Sequence, residues 1–380
     1  MVNANPRFSV LLPTHNRPDV IHCAIESVLA QTEPSFELLI VGDGCDNRTK
    51  RIIKRYQRDN RIKWFDFVKG PGFGYNHRNR VFKQARGKYI AFAPHDDILL
   101  PDHLQILGAH LDKNRLVDIV YSRPLWVDRK GQIMPSTFNL NSRKMMRHFM
   151  NEGNAVPAAC FVHRRSCFDR LGYWNDKLPQ AADWDMYKRI LAAGSEKNFI
   201  FESRPTTLHF LASWRSRRTH DEWPHVLATS FAKKQSFIPD SLKIPVTEDE
   251  PEQITFWRLI KRDPAKWADN VRQAVGALID GTQYYTTLDM LQLQNELDIL
   301  NQQKTELEKQ IKDQIQARDK HISELNVENA RLHKELGRLD RRLHEIQSSI
   351  TFALHRKFFS WIKPNSRLHR TLRAIMRRLT

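Results

Sequence analysis

Along the first ninety or so residues, short apolar runs alternate with amphipathic stretches. Residues 8–12 form an apolar run closed by Pro13-Thr14, which predicts a buried strand. Pro18-Asp19 then opens a helical pattern carried by Ile21, Ala24, Ile25, Val28 and Leu29. Residues 37–41 predict a second strand, halted by Gly42-Asp43-Gly44. Residues 49–56 read as helix, 62–68 as strand, 75–85 as helix and 89–93 as a fourth buried strand. This alternation predicts right-handed βαβ units, that is, an α/β fold with a mostly parallel sheet and flanking helices.

The pattern changes after residue 220. Five prolines between 224 and 264 punctuate a stretch with short helical patterns at 254–260 and 267–279. From Leu293 to Ile350, apolar residues recur at spacings of four and three, with Lys304, Arg318 and Asn329 at the remaining seam positions. One 4+4 step, Leu307–Ile311–Ile315, is a stutter. Such a seam predicts a coiled coil on the order of 85 Å long at ~1.5 Å per residue, covered by a second copy of the chain. Asn329 on the seam points to a parallel dimer, with a trimer open.

Charge divides the chain in the same places. The 380 residues carry a net +18, distributed as +14 over residues 1–220, −4 over 221–350 and +8 over 351–380. A basic globular half suits an anionic ligand, and a near-neutral middle suits self-association. In the last thirty residues eight arginines and lysines stand with no acid, and Phe352, Phe358, Phe359 and Trp361 interleave. Leu368, Leu372, Ile375 and Leu379 fall on one helical face, so this tail predicts a basic amphipathic helix on an anionic membrane surface. No nucleic-acid recognition motif accompanies it, and a nucleic-acid partner is not expected. The four cysteines form no C-x-x-C pair and read as reduced cytosolic thiols. No apolar run approaches the ~18 residues of a membrane span, and the N-terminus has no secretory pattern.

The candidate chemistry sits at one place on the predicted sheet. Ligands gather outside the carboxyl ends of parallel strands, and there the chain carries Thr14 to Asn16, Asp43, and His95-Asp96-Asp97. Neither G-x-G-x-x-G after the first strand nor G-x-x-x-x-G-K-[ST] occurs, which disfavours a dehydrogenase or a P-loop enzyme. Gly70-Pro-Gly-Phe-Gly74 is glycine-rich but defines no phosphate loop by itself.

Ser9-Val-Leu-Leu-Pro-Thr-His-Asn-Arg17, Leu39-Ile-Val-Gly-Asp-Gly-Cys-Asp46, Arg78-Asn79, Gly87-Lys-Tyr-Ile-Ala-Phe92 and His95-Asp-Asp-Ile-Leu-Leu-Pro-Asp-His-Leu104 together resemble family 2 glycosyltransferases of the GT-A fold, over about residues 7–215. The resemblance implies a sugar-nucleotide donor, a UDP-sugar by preference, held by Thr14, Asn16, Asp43, Arg78 and Asp96. It implies a divalent cation, Mn²⁺ or Mg²⁺, on Asp97 and Asp96 with His209. The division of roles between Asp96 and Asp97 stays open, because Pro94 stands where the first acid of that cluster is usual. Leu178-Pro-Gln-Ala-Ala-Asp-Trp-Asp-Met-Tyr-Lys-Arg189 resembles the segment carrying the catalytic base. Asp183 matches the base, with Asp185 the competing carboxylate, and Ala182 stands where a Glu often precedes it. Trp184 would wall the acceptor side or join the core. Asp102 is expected to cap the helix that follows Pro101.

These readings combine into four segments: residues 1–225, a GT-A domain; 226–287, a helical connector; 288–350, a coiled coil; and 351–380, a basic amphipathic tail. The expected protein is an inverting, metal-dependent, oligomeric glycosyltransferase, cytoplasmic and peripheral at the inner face of the membrane. Its acceptor would be a glycan or lipid-linked glycan in cell-surface polysaccharide synthesis. The alternative, favoured by Pro94 and Ala182, is a non-catalytic scaffold that displays a degenerate GT-A domain on a coiled coil.

Overall fold

The computed structural model describes residues 5–194, 198–211, 238–317 and 322–357. The chain divides into two compact units, Met1–Leu278 and Ile279–Thr380.

The first unit opens with β1 (Phe8–Thr14), α1 (Ile21–Leu29), β2 (Phe36–Asp43), α2 (Asn47–Tyr56), β3 (Ile62–Phe67), α3 (Tyr75–Phe82) and β4 (Tyr89–Phe92). Each element expected over this stretch is present. It continues through β5 (Ile98–Leu99), α4 (His103–Lys113), β6 (Ile119–Ser122), β7 (Leu125–Val127), β8 (Ile133–Pro135), α5 (Arg143–Asn151), β9 (Phe161–Arg164), α6 (Ser166–Leu171), α7 (Ala182–Ala193), β10 (Phe199–Glu202) and β11 (Thr207–Phe210).

Seven strands form one sheet in the order β10-β6-β9-β4-β1-β2-β3. β3, β2, β1 and β4 run parallel. β10 and β6 are parallel to each other, and between β4 and β6 lies β9, antiparallel to both, so the sheet is mostly parallel as expected, with one reversed strand. Both faces are covered. Phe8, Val10 and Leu12 of β1 join one apolar cluster with Ile21, Ile25 and Leu107, while Leu11 joins the other with Phe92, Tyr121 and Tyr187. Burial on both sides is why these strands read as unbroken apolar runs. A second sheet, β5-β11-β7-β8, packs its own small strands beside the first.

The expected boundary at residue 225 lies in residues 212–237, outside the described residues. The chain is described again before α8 (Glu252–Ile260) and α9 (Pro264–Ala317), and the first unit ends inside α9 at Leu278. Phe256 and Ile260 of α8 and Ala268, Val271 and Leu278 of α9 are buried within that unit. Phe256 meets Phe210 edge-on, with ring centroids 5.3 Å apart. Asp102 makes no side-chain cap on α4. Arg272 instead takes its carboxylate in a bidentate pair at 2.7 and 2.8 Å, because a planar guanidinium fork matches a carboxylate better than a single N–H does.

The second unit holds the rest of α9 and α10 (Ile322–Lys357). Lys304 Nζ lies 2.8 Å from Asp340 Oδ1. On one straight helix these residues would stand about 54 Å apart, so the two helices double back on each other. Leu297, Leu300 and Leu343 are buried. A single uninterrupted rod of coiled coil is therefore not what forms. The apolar seam finds its partner within the same chain, and expected seam residue Lys304 is matched by an acid of the returning helix. Asn329 Oδ1 is buried without a hydrogen-bond partner. Arg318 and most of the basic tail, residues 358–380, lie outside the described residues. No described helix is long and apolar enough to cross a membrane.

Two histidines without solvent contact set the acid sensitivity of the first unit. His103 and His163 are 0% exposed, and burial pushes their pKa values down to about 3 and about 4. Unfolded, each would take a proton near pH ~6.5. The unfolded chain therefore binds more protons below that value, and stability falls as pH drops from ~6.5 towards the folded-state values. At pH 5 the loss is about 2 kcal/mol for each group as an upper figure. Urea unfolding of wild type and His103→Gln at pH 7.5 and pH 5 checks this. The variant is expected to lose distinctly less stability between the two pH values.

Candidate active site

The loops after β1, β2, β3 and β4 converge on a cavity of about 810 Å³, a size suited to a nucleotide-sized ligand. Thr14, Asn16, Asp43, Arg78, Asp96, Asp97, Asp183 and His209 all line it. The structure thus brings every residue singled out for the site to one place.

The β1 loop is shaped by Asn16, which holds φ +47°. Asparagine tolerates this left-handed conformation, and its Oδ1 accepts from Asp46 N–H at 2.7 Å, tying the loop to the one after β2. His15 donates from Nδ1 to the Asp43 carbonyl at 2.6 Å. Thr14 Oγ1 is buried at the cavity and has no hydrogen-bond partner.

Asp43 has a structural task in addition to any ligand it meets. Its Oδ2 accepts from Lys69 Nζ at 2.6 Å and its Oδ1 from Gly70 N–H, also at 2.6 Å. Lys69 donates further to the carbonyls of Gly70 and Gly72, each at 2.9 Å. One carboxylate and one ammonium therefore organise the glycine-rich loop 70–74. Gly74, at φ +68°, brings its Cα against the Asp43 carboxyl, where an added Cβ would come within 2.7 Å. Lys69 was not singled out in the sequence, although it stands directly before Gly70.

Arg78 is held from three sides. Its guanidinium lies over the rings of Tyr75 and Trp174, at 5.1 and 5.5 Å, and donates to the Phe73 carbonyl at 3.0 Å. Desolvation lowers its pKa, against the pull of Tyr75, Asp183 and Asp43, and it stays charged. Asn79 explains why Trp174 stands there. It donates from Nδ2 to the Trp174 carbonyl at 2.7 Å and accepts from Trp174 N–H at 3.1 Å. Neither Trp174 nor Tyr75 carried a local signal for the site.

Asp97 and His209 meet through strand register. β11 pairs antiparallel with β5, Leu208 opposite Ile98 and Thr207 opposite Leu99. One step further, Asp97 falls opposite His209, and Nδ1 lies 2.8 Å from Oδ1. A carboxylate in that position holds the proton on Nδ1. The edge of the imidazole meets Trp126 at 4.7 Å between centroids. Asp97 Oδ2 is buried and has no hydrogen-bond partner. Among the described residues, no three His, Cys, Asp or Glu side chains are spaced to hold a metal ion as they stand. A divalent cation still fits the donor set, because it would satisfy that buried carboxylate oxygen and suits a mixed carboxylate and imidazole site.

The two carboxylates of the downstream segment separate cleanly. Asp183 lines the cavity. Asp185 pairs with Arg189 at 2.9 Å, and Arg189 also donates to the carbonyls of Leu171 and Tyr173. Trp184 donates from Nε1 to the Phe149 carbonyl at 2.8 Å and packs against the core rather than lining the cavity. The tyrosine hydroxyl of Tyr75 is raised in pKa by burial and by the nearby Asp183 charge. Asn154, Val156, Pro157 and Ala158 complete the wall.

The family model for glycosyl transferase family 2 matches residues 9–172. An uncharacterized glycosyltransferase of Methanocaldococcus jannaschii is 31% identical over 204 residues, which cover 52% of this chain and 69% of that protein. The chain belongs to glycosyl transferase family 2. Chondroitin synthase of Escherichia coli is 26% identical over 200 residues, covering 51% of this chain and 28% of the synthase. Glycosyltransferases of Rickettsia felis, Rickettsia bellii and Rickettsia conorii are likewise matched over less than half of their own length. Among solved structures, S. aureus TarS 1-349 in complex with UDP-GlcNAc is similar at a TM-score of 0.46 and 19% identity, covering 72% of this chain and 92% of that one.

Ala181 precedes α7 at φ +58°, where a side chain is strained. Its left-handed backbone turns the chain so that α7 starts at Asp183's own turn. An alanine in this region costs roughly 1 kcal/mol relative to glycine. Ala181→Gly is therefore expected to raise stability by about 0.5–1 kcal/mol, read as a higher urea midpoint with an unchanged slope.

Proposed function

We propose that this family 2 glycosyltransferase moves a sugar from a nucleoside diphosphate sugar, with inversion, to a hydroxyl of a glycan or lipid-linked glycan acceptor in cell-surface polysaccharide synthesis. The observation that carries this reading is the shared cavity. Asp183, Arg78 and the Asp97–His209 pair line one space, with the glycine-rich loop closing its side.

Direct displacement needs a base on the acceptor side and charge compensation on the leaving side. Asp183 takes the proton of the attacking hydroxyl as the oxygen bonds to the anomeric carbon. The bond from that carbon to the diphosphate oxygen breaks with its electron pair, so the nucleoside diphosphate leaves as an anion. Arg78, held over the rings of Tyr75 and Trp174, faces that developing charge. Thr14, Asn16 and Asp43 meet the nucleoside, and Asp43 keeps lone pairs for an imide N–H beyond its bonds to Lys69 and Gly70. That acceptor-only group suits the imide N–H of uracil or thymine rather than adenine, and of these we take the UDP-sugar as the donor. Asp97 and His209, with Asp96 beside them, would hold Mn²⁺ or Mg²⁺, which supplies Lewis-acid stabilisation of the diphosphate.

Asp183→Asn is expected to lower kcat by at least 10³-fold with little change in donor KM, while Asp185→Asn keeps turnover within a few-fold. Steady-state transfer with a UDP-sugar donor reads both, and near-wild-type turnover by Asp183→Asn would sink the assignment of the base. Thermal stabilisation by UDP-, GDP- and dTDP-sugars, each with and without Mn²⁺, tests the donor and the cation together. The expected pattern is a shift with UDP-sugar and Mn²⁺ that is abolished by a chelator; indifference to the chelator counts against Asp97 and His209 as ligands.

A further inference from the structure

Gln253 on α8 reaches the candidate site from 157 residues away. It is 1% exposed, and its Nε2 donates to the Asp96 carbonyl at 3.2 Å. The Asp96 carbonyl and the Asp97 N–H belong to one peptide group, and Asp97 N–H donates to the Pro94 carbonyl at 3.0 Å. Both ends of the Asp96–Asp97 peptide are therefore held, one by the turn itself and one by Gln253. With that plane fixed, the Asp97 side chain leaves the backbone in the direction that meets His209.

The other half of the Gln253 amide is out of balance. Oε1 is buried and has no hydrogen-bond partner. An apolar side chain of the same length would remove that unsatisfied acceptor, but would leave the Asp96 carbonyl without the Gln253 donor. α8 is meanwhile seated firmly: Trp257 donates from Nε1 to Glu26 Oε2 at 2.6 Å, and Phe256 packs on Phe210, the neighbour of His209. The helix thus contacts β11 and the turn that leads into β5.

We propose that Gln253 is a positioning residue for sugar transfer, which sets the Asp96–Asp97 peptide so that Asp97 and His209 are presented to the donor and its cation. It rests on the reading of Asp96–Asp97 as the donor-binding turn. It also makes α8, which lies outside the family match at residues 9–172, a working part of the site.

The test uses the full chain and two probes, Mn²⁺ alone followed by spin resonance and UDP with Mn²⁺ followed by calorimetry. Gln253→Met keeps length, removes the donor and removes the orphaned acceptor. It exchanges the orphaned Gln253 acceptor for an orphaned Asp96 carbonyl, so it is expected to melt near the wild-type temperature, yet to need about tenfold more Mn²⁺ for half-saturation and to bind UDP correspondingly weaker. Gln253→His, which keeps a ring N–H donor, is expected to recover most of that loss. Unchanged Mn²⁺ and UDP affinity in Gln253→Met would overturn the proposal. So would a fall in melting temperature with wild-type affinities in the folded fraction, the mark of a merely structural residue. If Gln253→Met does not accumulate folded, Gln253→Asn, one methylene too short to reach the carbonyl, carries the same measurements. Asp97→Asn separates the two readings. Impaired binding in Asp97→Asn with an unaffected Gln253→Met removes only the positioning role, whereas intact binding in Asp97→Asn removes both.

Discussion

The site depends on a ladder of two residue pairs. β5 and β11 pair through Ile98–Leu208 and Leu99–Thr207, with one further bond from Leu100 N–H to the Thr206 carbonyl, and this register sets Asp97 opposite His209 across 112 residues of chain. A slip of one residue would turn one of the two side chains to the opposite face. So short a ladder cannot hold register by itself, and the surrounding structure supplies the rest. β7 pairs with β11 on its other side, Trp126 abuts the imidazole, and Phe210 is pinned by Phe256. The geometry of the Asp97–His209 pair is thus a property of the tertiary packing rather than of the motif that contains the two aspartates.

The same division explains what could be read from the residues. The four parallel strands were legible because burial on both faces forces near-continuous apolar runs, and because Gly42-Asp43-Gly44 and Pro94 mark where those runs stop. Their carboxyl ends then located Thr14, Asn16, Asp43 and Asp96–Asp97 without further help. The antiparallel β9 was not legible. An apolar strand buried on both faces looks alike in either direction, and its partners lie far away in sequence. Asp102 shows the limit at a single residue: an acid just before a helix favours a cap by local rules, but Arg272 offers a bidentate partner no local window contains.

The C-terminal helices show a different ambiguity. A repeating apolar seam reports that a helix face must be covered, and is silent on what covers it. Here the chain returns, and Asp340 meets Lys304. A partner in the same chain is present at far higher effective concentration than a second molecule, which favours the intramolecular pairing of Lys304 with Asp340. Leu288, Leu291 and Ile299 remain 43–53% exposed in this unit.

Net charge misleads in a comparable way. The chain carries +18, which suggests a surplus of cations for a diphosphate. The cavity itself is lined by Asp43, Asp96, Asp97 and Asp183 against Arg17, Lys69 and Arg78. Lys69 is committed to Asp43 and Arg17 is paired with Asp19 at 2.8 Å. Among the described lining residues, that leaves Arg78 to face three carboxylates. In a partly desolvated space, like charges a few ångströms apart repel by several kcal/mol, and basic residues on the outer surface are screened beyond roughly 8–10 Å. In the reaction proposed above, compensation would come from a cation at Asp97 Oδ2, which is buried and has no hydrogen-bond partner. The carboxylates that would repel a diphosphate are then the groups that would recruit the ion able to accompany it.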